Sequence, residues 1–143
     1  IQTALGGYQS INDLVAPGGR LTRQRDLAHK LLTDIPGVTC MKAQAALYMF
    51  PKLDPDIYPI EDDKQFAYDL LEREKVLIVQ GTGFNWINPD HFRVVFLPNS
   101  DDLTHAIERI ARFLEYYRKK YGTDELAMQK YGKPQKEKEL RIV

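Results

Sequence analysis

Apolar side chains recur along the chain at two spacings, and each spacing predicts a different backbone. Ile1, Ala4, Leu5, Tyr8, Ile11 and Val15 stand three or four apart, which predicts a helix with one apolar face, weakened by Gly6 and Gly7. The run Ala16-Pro17-Gly18-Gly19-Arg20 then breaks the chain. A second helix is predicted over 21–35, with Leu21, Ala28, Leu31, Leu32 and Ile35 on one face and Pro36-Gly37 ending it. The segments 38–41 and 45–53 predict two strands joined as a hairpin by Lys42-Ala43-Gln44, the second carrying Tyr48 and Phe50.

Pro55 and Pro59 mark 54–60 as a loop leading to a helix start at Asp62. Asp62 can cap that helix while Gln65 reaches back to it, and Phe66, Ala67, Leu70 and Leu71 form its buried stripe. The unbroken apolar run 76–79 predicts a strand covered on both faces, followed by a loop at Gly81-Thr82-Gly83. A further strand spans 92–97. After Pro98-Asn99, Ser100 is the expected N-cap of the longest helix, in which Leu103, Ile107, Ile110, Leu114 and Tyr117 share a face and Asp101 and Asp102 complement the helix dipole. From Gly122 the periodicity dissolves into a polar tail, expected to be mobile or docked on a partner. Helices mixed with strands able to pair antiparallel predict an α+β fold of two layers, helices on one side of a small sheet.

Within the strand 92–97, Arg93 breaks the pattern. Residues two apart on a strand share a face, so Arg93 points the same way as Val95 and Leu97, and a guanidinium aimed at apolar surface needs an anion. The glycine-rich turn before it lets backbone approach a ligand closely, and a planar fork of donors beside such a turn suits a small carboxylate. The alternative is an internal acid, Asp90 or one of the aspartates at the helix starts.

Composition narrows the chemistry. Of 143 residues, 20 basic and 20 acidic side chains cancel, which argues against nucleic acid and anionic membrane as partners. No run approaches the ~18 apolar residues of a membrane span. One cysteine, Cys40, excludes an internal disulfide, and the absence of a signal-peptide pattern makes the cytoplasm the expected location. A start on Ile1, already inside a helical pattern, reads as a piece of a longer protein. Ser10 and Ser100 sit in no Gly-x-Ser-x-Gly elbow, and His29, His91 and His105 form no His-Glu-x-x-His motif; no metal site is expected. A third glycine of a dinucleotide fingerprint would fall at Trp86, so Gly81-x-Gly83 is not one. His91 is expected to face solvent in a turn, and Phe84 and Trp86 to pack.

The segments LGGYQSIN, PGGRL, IPGVTC, AALYMFPK, KVLIVQGTGFNW and PDHFRVVFLP, in this order, resemble the C-terminal part of class I aminotransferases, the pyridoxal-phosphate enzymes of fold type I. Within that family they look like the bacterial alanine (glutamate-pyruvate) transaminases. The resemblance covers about residues 1–117. It implies the end of a large-domain helix and linker over 1–19, a small domain over 20–121, and a tail over 122–143 longer than the usual family ending. It implies that Arg93 binds the α-carboxylate of an amino acid or 2-oxo acid, and that carboxylate binding favours domain closure. It also implies a homodimer.

The cofactor of the family, pyridoxal 5'-phosphate, is held by a lysine in a Ser-x-x-Lys segment. Neither Ser10 nor Ser100 has lysine three residues on, so no catalytic residue is expected in this segment and the chain alone is expected to be inactive. The pyridinium-pairing aspartate and the phosphate loop are likewise expected upstream. Where relatives often carry glycine, this chain has Ala45. The alternative function is a ligand-sensing domain that keeps carboxylate binding without turnover, and a third is a plain structural or dimerisation domain.

Overall fold

A computed structural model describes residues 1–132 of the chain. The opening apolar pattern forms two short helices, α1 (Gln2–Gly6) and α2 (Ile11–Val15), and not one, because the chain leaves helical geometry after Gly6. Ile1, Leu5 and Tyr8 are exposed. Helix α3 (Arg20–Thr33) follows the predicted break, burying Leu21, Ala28 and Leu32. At Gly37 the backbone takes φ 79°, and an added Cβ would meet the Tyr58 ring at 2.9 Å, so only glycine turns the chain here into strand β1 (Val38–Thr39).

The expected hairpin is not local. Strands β2 (Tyr48–Met49) and β3 (Lys52–Leu53) divide the predicted second strand around Phe50-Pro51. Only β3 pairs with β1, antiparallel, Val38 opposite Leu53. Pro51 has no N–H to extend a ladder, while its carbonyl accepts from Phe92 N–H at 3.2 Å. The chain thereby passes from one sheet to the next, so residues 42–44 make no tight turn.

Helix α4 (Asp63–Glu74) starts at the Asp62 cap, whose side chain accepts from the N–H groups of Lys64 and Gln65. Gln65 does not reach back; its amide donates to Asp69, four residues on. Strand β4 is only Val79–Gln80, and Leu77 is 76% exposed, so the run 76–79 is not covered on both faces. A 3-10 turn over Gly81–Phe84 precedes strand β5 (Phe92–Val95), which sits centrally in a three-stranded antiparallel sheet, β2-β5-β4.

Helix α5 (Ser100–Tyr121) is capped by Asn99, not Ser100: the Asn99 side chain accepts from Asp101 N–H and Asp102 N–H, and Ser100 is already helical. Phe92 and Val94 of β5 join Leu32, Phe66, Leu70, Ile107, Ile110 and Leu114 of the three long helices in one core. Burying each such side chain contributes about 1.5–3 kcal/mol. Part of the expected polar tail is ordered. Helix α6 (Asp124–Tyr131) buries Ala127 completely, and Lys130 and Tyr131 bond the Asp54 carboxylate, because the short loop at Gly122-Thr123 folds it back on the loop after β3. The remainder of that tail, 133–143, lies outside the described residues.

Among the described residues, no helix is long and apolar enough to cross a membrane.

Candidate substrate-binding site

Cross-strand partners share a face, so the register Arg93 opposite Val79 and Tyr48 opposite Val95 places all four on one side of the sheet. The other side carries Met49, Phe92 and Val94 into the core. Arg93 is therefore on the uncovered face. Its Cζ lies 4.8 Å from the centroid of the Tyr48 ring and 4.7 Å from that of Phe84, within cation–π range of both.

Phe84 is delivered by a turn held at two points. Asp63, buried in the first turn of α4, accepts from Thr82 N–H at 2.9 Å and from the Thr82 hydroxyl at 2.7 Å. Gly81 N–H donates to the His91 carbonyl at 2.8 Å, and an added Cβ on Gly81 would stand 2.8 Å from that same oxygen. The turn closes at Asn85, φ 60°, a left-handed position that asparagine tolerates.

The guanidinium has no carboxylate of its own among the described residues, and its Nε is buried with no hydrogen-bond partner. An internal acid does not answer the cation there. Asp90 accepts from His91 Nδ1 at 2.6 Å and Trp86 Nε1 at 3.0 Å, with Lys52 at 3.7 Å. Asp62 caps α4, Asp63 holds Thr82, and Asp102 accepts from the Asn99 amide. Burial raises the Asp90 carboxyl, but the hydrogen bonds from His91 and Trp86 outweigh it and hold it below the usual carboxylate range.

His91 is not the solvent-facing turn residue expected from the sequence. Its ring stacks on Phe50 at 4.8 Å, and its side chain is 11% accessible, because β5 begins with the Asp90 bond already made. A hollow of about 620 Å³ beside it is lined by Lys42, Tyr48, Phe50, Lys52, Trp86 and His91 among others. Another, of about 440 Å³ between α3 and α5, carries none of the residues singled out as candidate chemistry.

Residues 2–110 match the family described as aminotransferase class I and II. The chain belongs to this family. An alanine aminotransferase of Mycobacterium tuberculosis (strain ATCC 25618 / H37Rv) is 61% identical over 118 residues, which is 82% of this chain and 28% of that protein. A glutamate-pyruvate aminotransferase of Escherichia coli (strain K12) is 56% identical over 117 residues, 82% of this chain and 29% of the relative. In three dimensions, an Escherichia coli aminotransferase crystal structure superposes with a TM-score of 0.79 at 56% identity, covering 82% of this chain and 29% of that one. An alanine aminotransferase from Pyrococcus furiosus gives 0.62 at 40% identity, over 67% and 24%. The chain thus spans less than a third of the length of these relatives.

Within this aminotransferase segment, sequence reasoning singled out Arg93 but missed its surroundings. Asp63 reads from the sequence only as an acid near a helix start, and its bond to Thr82 crosses 19 residues. The Asp90 contact with Trp86 spans four residues outside any helix, a spacing with no periodic signal. Tyr48 and Arg93 meet only because β2 and β5 pair.

Proposed function

We propose that this chain is the substrate-carboxylate-binding part of a pyridoxal-phosphate-dependent aminotransferase that moves an amino group between an amino acid, alanine or glutamate first, and a 2-oxo acid. The observation that carries the reading is Arg93: a permanent cation facing two aromatic rings, with a buried Nε that finds no acceptor among the described residues. A buried donor left unmade costs about 1–3 kcal/mol, and an arriving carboxylate relieves it. Two parallel N–H···O bonds would fix the carboxylate plane, and with it the orientation of the substrate Cα–H bond. The Tyr48 and Phe84 rings, at 4.8 and 4.7 Å, flank the guanidinium and favour this placement of the fork.

The residues around Arg93 fit a carboxylate and do not fit the covalent anchor of pyridoxal phosphate. No lysine of this chain follows a serine by three residues, and the neighbours of the guanidinium are aromatic. The cofactor's chemistry therefore belongs, in this reading, to residues outside this chain. Mixing the chain with pyridoxal phosphate is expected to give no lysine adduct that borohydride fixes. The homodimer and the cytoplasmic location implied by the family belong to the same proposal, as does the division into linker 1–19, small domain 20–121 and tail 122–143.

The test is mutation of the arginine in the full-length enzyme that carries this chain. Arg93→Ala is expected to cost about 2–5 kcal/mol in kcat/KM, since the substrate carboxylate loses its charged partner. Arg93→Lys is expected to lose much of the same, because an ammonium has no planar fork. Near-native kinetics for both variants would reject the assignment.

A further inference from the structure

We propose that Asp90 is a positioning residue for Arg93, acting through Trp86, His91 and Phe50 on the Phe84 ring that the guanidinium faces. The inference rests on the carboxylate-binding reading of Arg93. Phe84 and Trp86 are 45% and 44% exposed, so burial alone does not fix their rotamers. Something else must.

Asp90, 8% exposed, accepts with one oxygen, Oδ1, from both Trp86 Nε1 and His91 Nδ1. A carboxylate is an acceptor only, so His91 carries its proton on Nδ1, and both ring directions are set by one atom. The two rings then hold Phe50 from two sides of its quadrupole: His91 stacks at 4.8 Å and 26°, and Trp86 stands edge-on at 5.7 Å and 83°. Phe50 meets Phe84 edge-on at 6.3 Å and 82°. Phe84 in turn faces Arg93 at 4.7 Å. An apolar residue at 90 would pack without the desolvation of a carboxylate, but it would give neither N–H a direction. Pre-organising the fork lowers the ordering that substrate binding must otherwise impose.

Because the Asp90 variants keep Arg93 and its grip on the bound carboxylate, and change only how far the fork is ordered beforehand, the loss should act on KM more than on kcat. In the full-length enzyme, Asp90→Ala is expected to raise KM for L-alanine and for pyruvate about tenfold while kcat stays within about threefold. Asp90→Asn keeps an oxygen able to accept both N–H groups and should recover most of that loss. Should Asp90→Ala not fold, Trp86→Phe removes one donor while keeping a ring against Phe50, and it should raise KM about threefold. An unchanged KM in the foldable variants, a loss confined to kcat, or an Asp90→Asn enzyme as impaired as Asp90→Ala overturns the proposal. Arg93→Ala and Arg93→Lys measured alongside separate the two ideas. If both are near native, the carboxylate reading fails; if they are impaired while the Asp90 variants are not, only the positioning role fails.

Discussion

At Gly81 the absence of a side chain is a steric requirement, whereas at Gly83 it is not. A Cβ on Gly81 would press on the His91 carbonyl at 2.8 Å, but one on Gly83 would find its nearest neighbour at 3.5 Å, the end of the Gln80 side chain. Gly81→Ala is therefore expected to destabilise the chain by about 1–3 kcal/mol, through a forced backbone shift. Gly83→Ala should be neutral or stabilising by up to about 1 kcal/mol, since it restricts the unfolded chain. Urea unfolding of the two variants side by side checks the contrast, and equal losses would show that the close contact is not what matters. The same separation runs through the site residues. Arg93 was legible because a cation breaks an apolar strand pattern, a conflict visible in six consecutive residues. Phe84 and His91 were not, because an aromatic or imidazole in a turn has the same one-dimensional appearance whether it packs, stacks or faces water.

Helix ends show how local chemistry is read correctly in kind and displaced in detail. Asp62 caps α4 as its spacing predicts, while α5 takes Asn99 in place of the neighbouring Ser100. Both residue types make good caps, and the choice between adjacent ones depends on where the preceding loop leaves the extended region. Asn99→Ala and Asp62→Ala should each lower stability by about 1 kcal/mol, with Ser100→Ala far milder. A Ser100→Ala loss matching that of Asn99→Ala in thermal unfolding would contradict the observed cap. At the other end of α4, Lys75 adopts φ 57°, a left-handed conformation costly for a residue with a Cβ. Lys75→Gly is expected to stabilise by about 0.5–1 kcal/mol after its added unfolded-state entropy is counted. A lowered Tm would mean that the Lys75 Nζ bond to the Glu72 carbonyl outweighs the backbone term.

Over the whole molecule, α6 is held by polar contacts at both ends, those at its C-terminal end crossing a long sequence distance. Arg118, buried, donates through Nε to Asp124 at 2.8 Å and through Nη1 to the Tyr58 hydroxyl at 2.9 Å, and that hydroxyl donates to the Pro36 carbonyl. Asp124→Ala leaves the buried cation with one neutral acceptor and should destabilise by about 2–3 kcal/mol, less than a fully buried pair because Asp124 is partly accessible. A loss within about 0.5 kcal/mol in chemical unfolding would show that the pair adds nothing net. Asp54 anchors the other end of α6. Burial raises its carboxyl, but the bonds from Lys130 and Tyr131 outweigh this and leave it low, as Asp90 is also left low. A carboxylate depressed in the folded state stabilises fully above its unfolded value of about 3.9, and that contribution fades as pH falls through the folded value. Stability should therefore decline below about pH 4, and Asp54→Asn should flatten that decline; an unchanged acid profile would remove Asp54 from it.

The amino-acid order alone determined that the fold is α+β, where its long amphipathic helices run, and that Arg93 is a cation set in an apolar strand, because periodicity and charge conflict are carried by neighbours in the chain. It did not determine which strands pair, that Pro51 hands the chain between two sheets, that α6 folds back on Asp54, that Asp63 holds Thr82, or that Asp90 bonds Trp86. Those were decided by tertiary structure, since each depends on groups far apart in sequence, or unrelated by any period, being brought within hydrogen-bonding distance only once the core has closed.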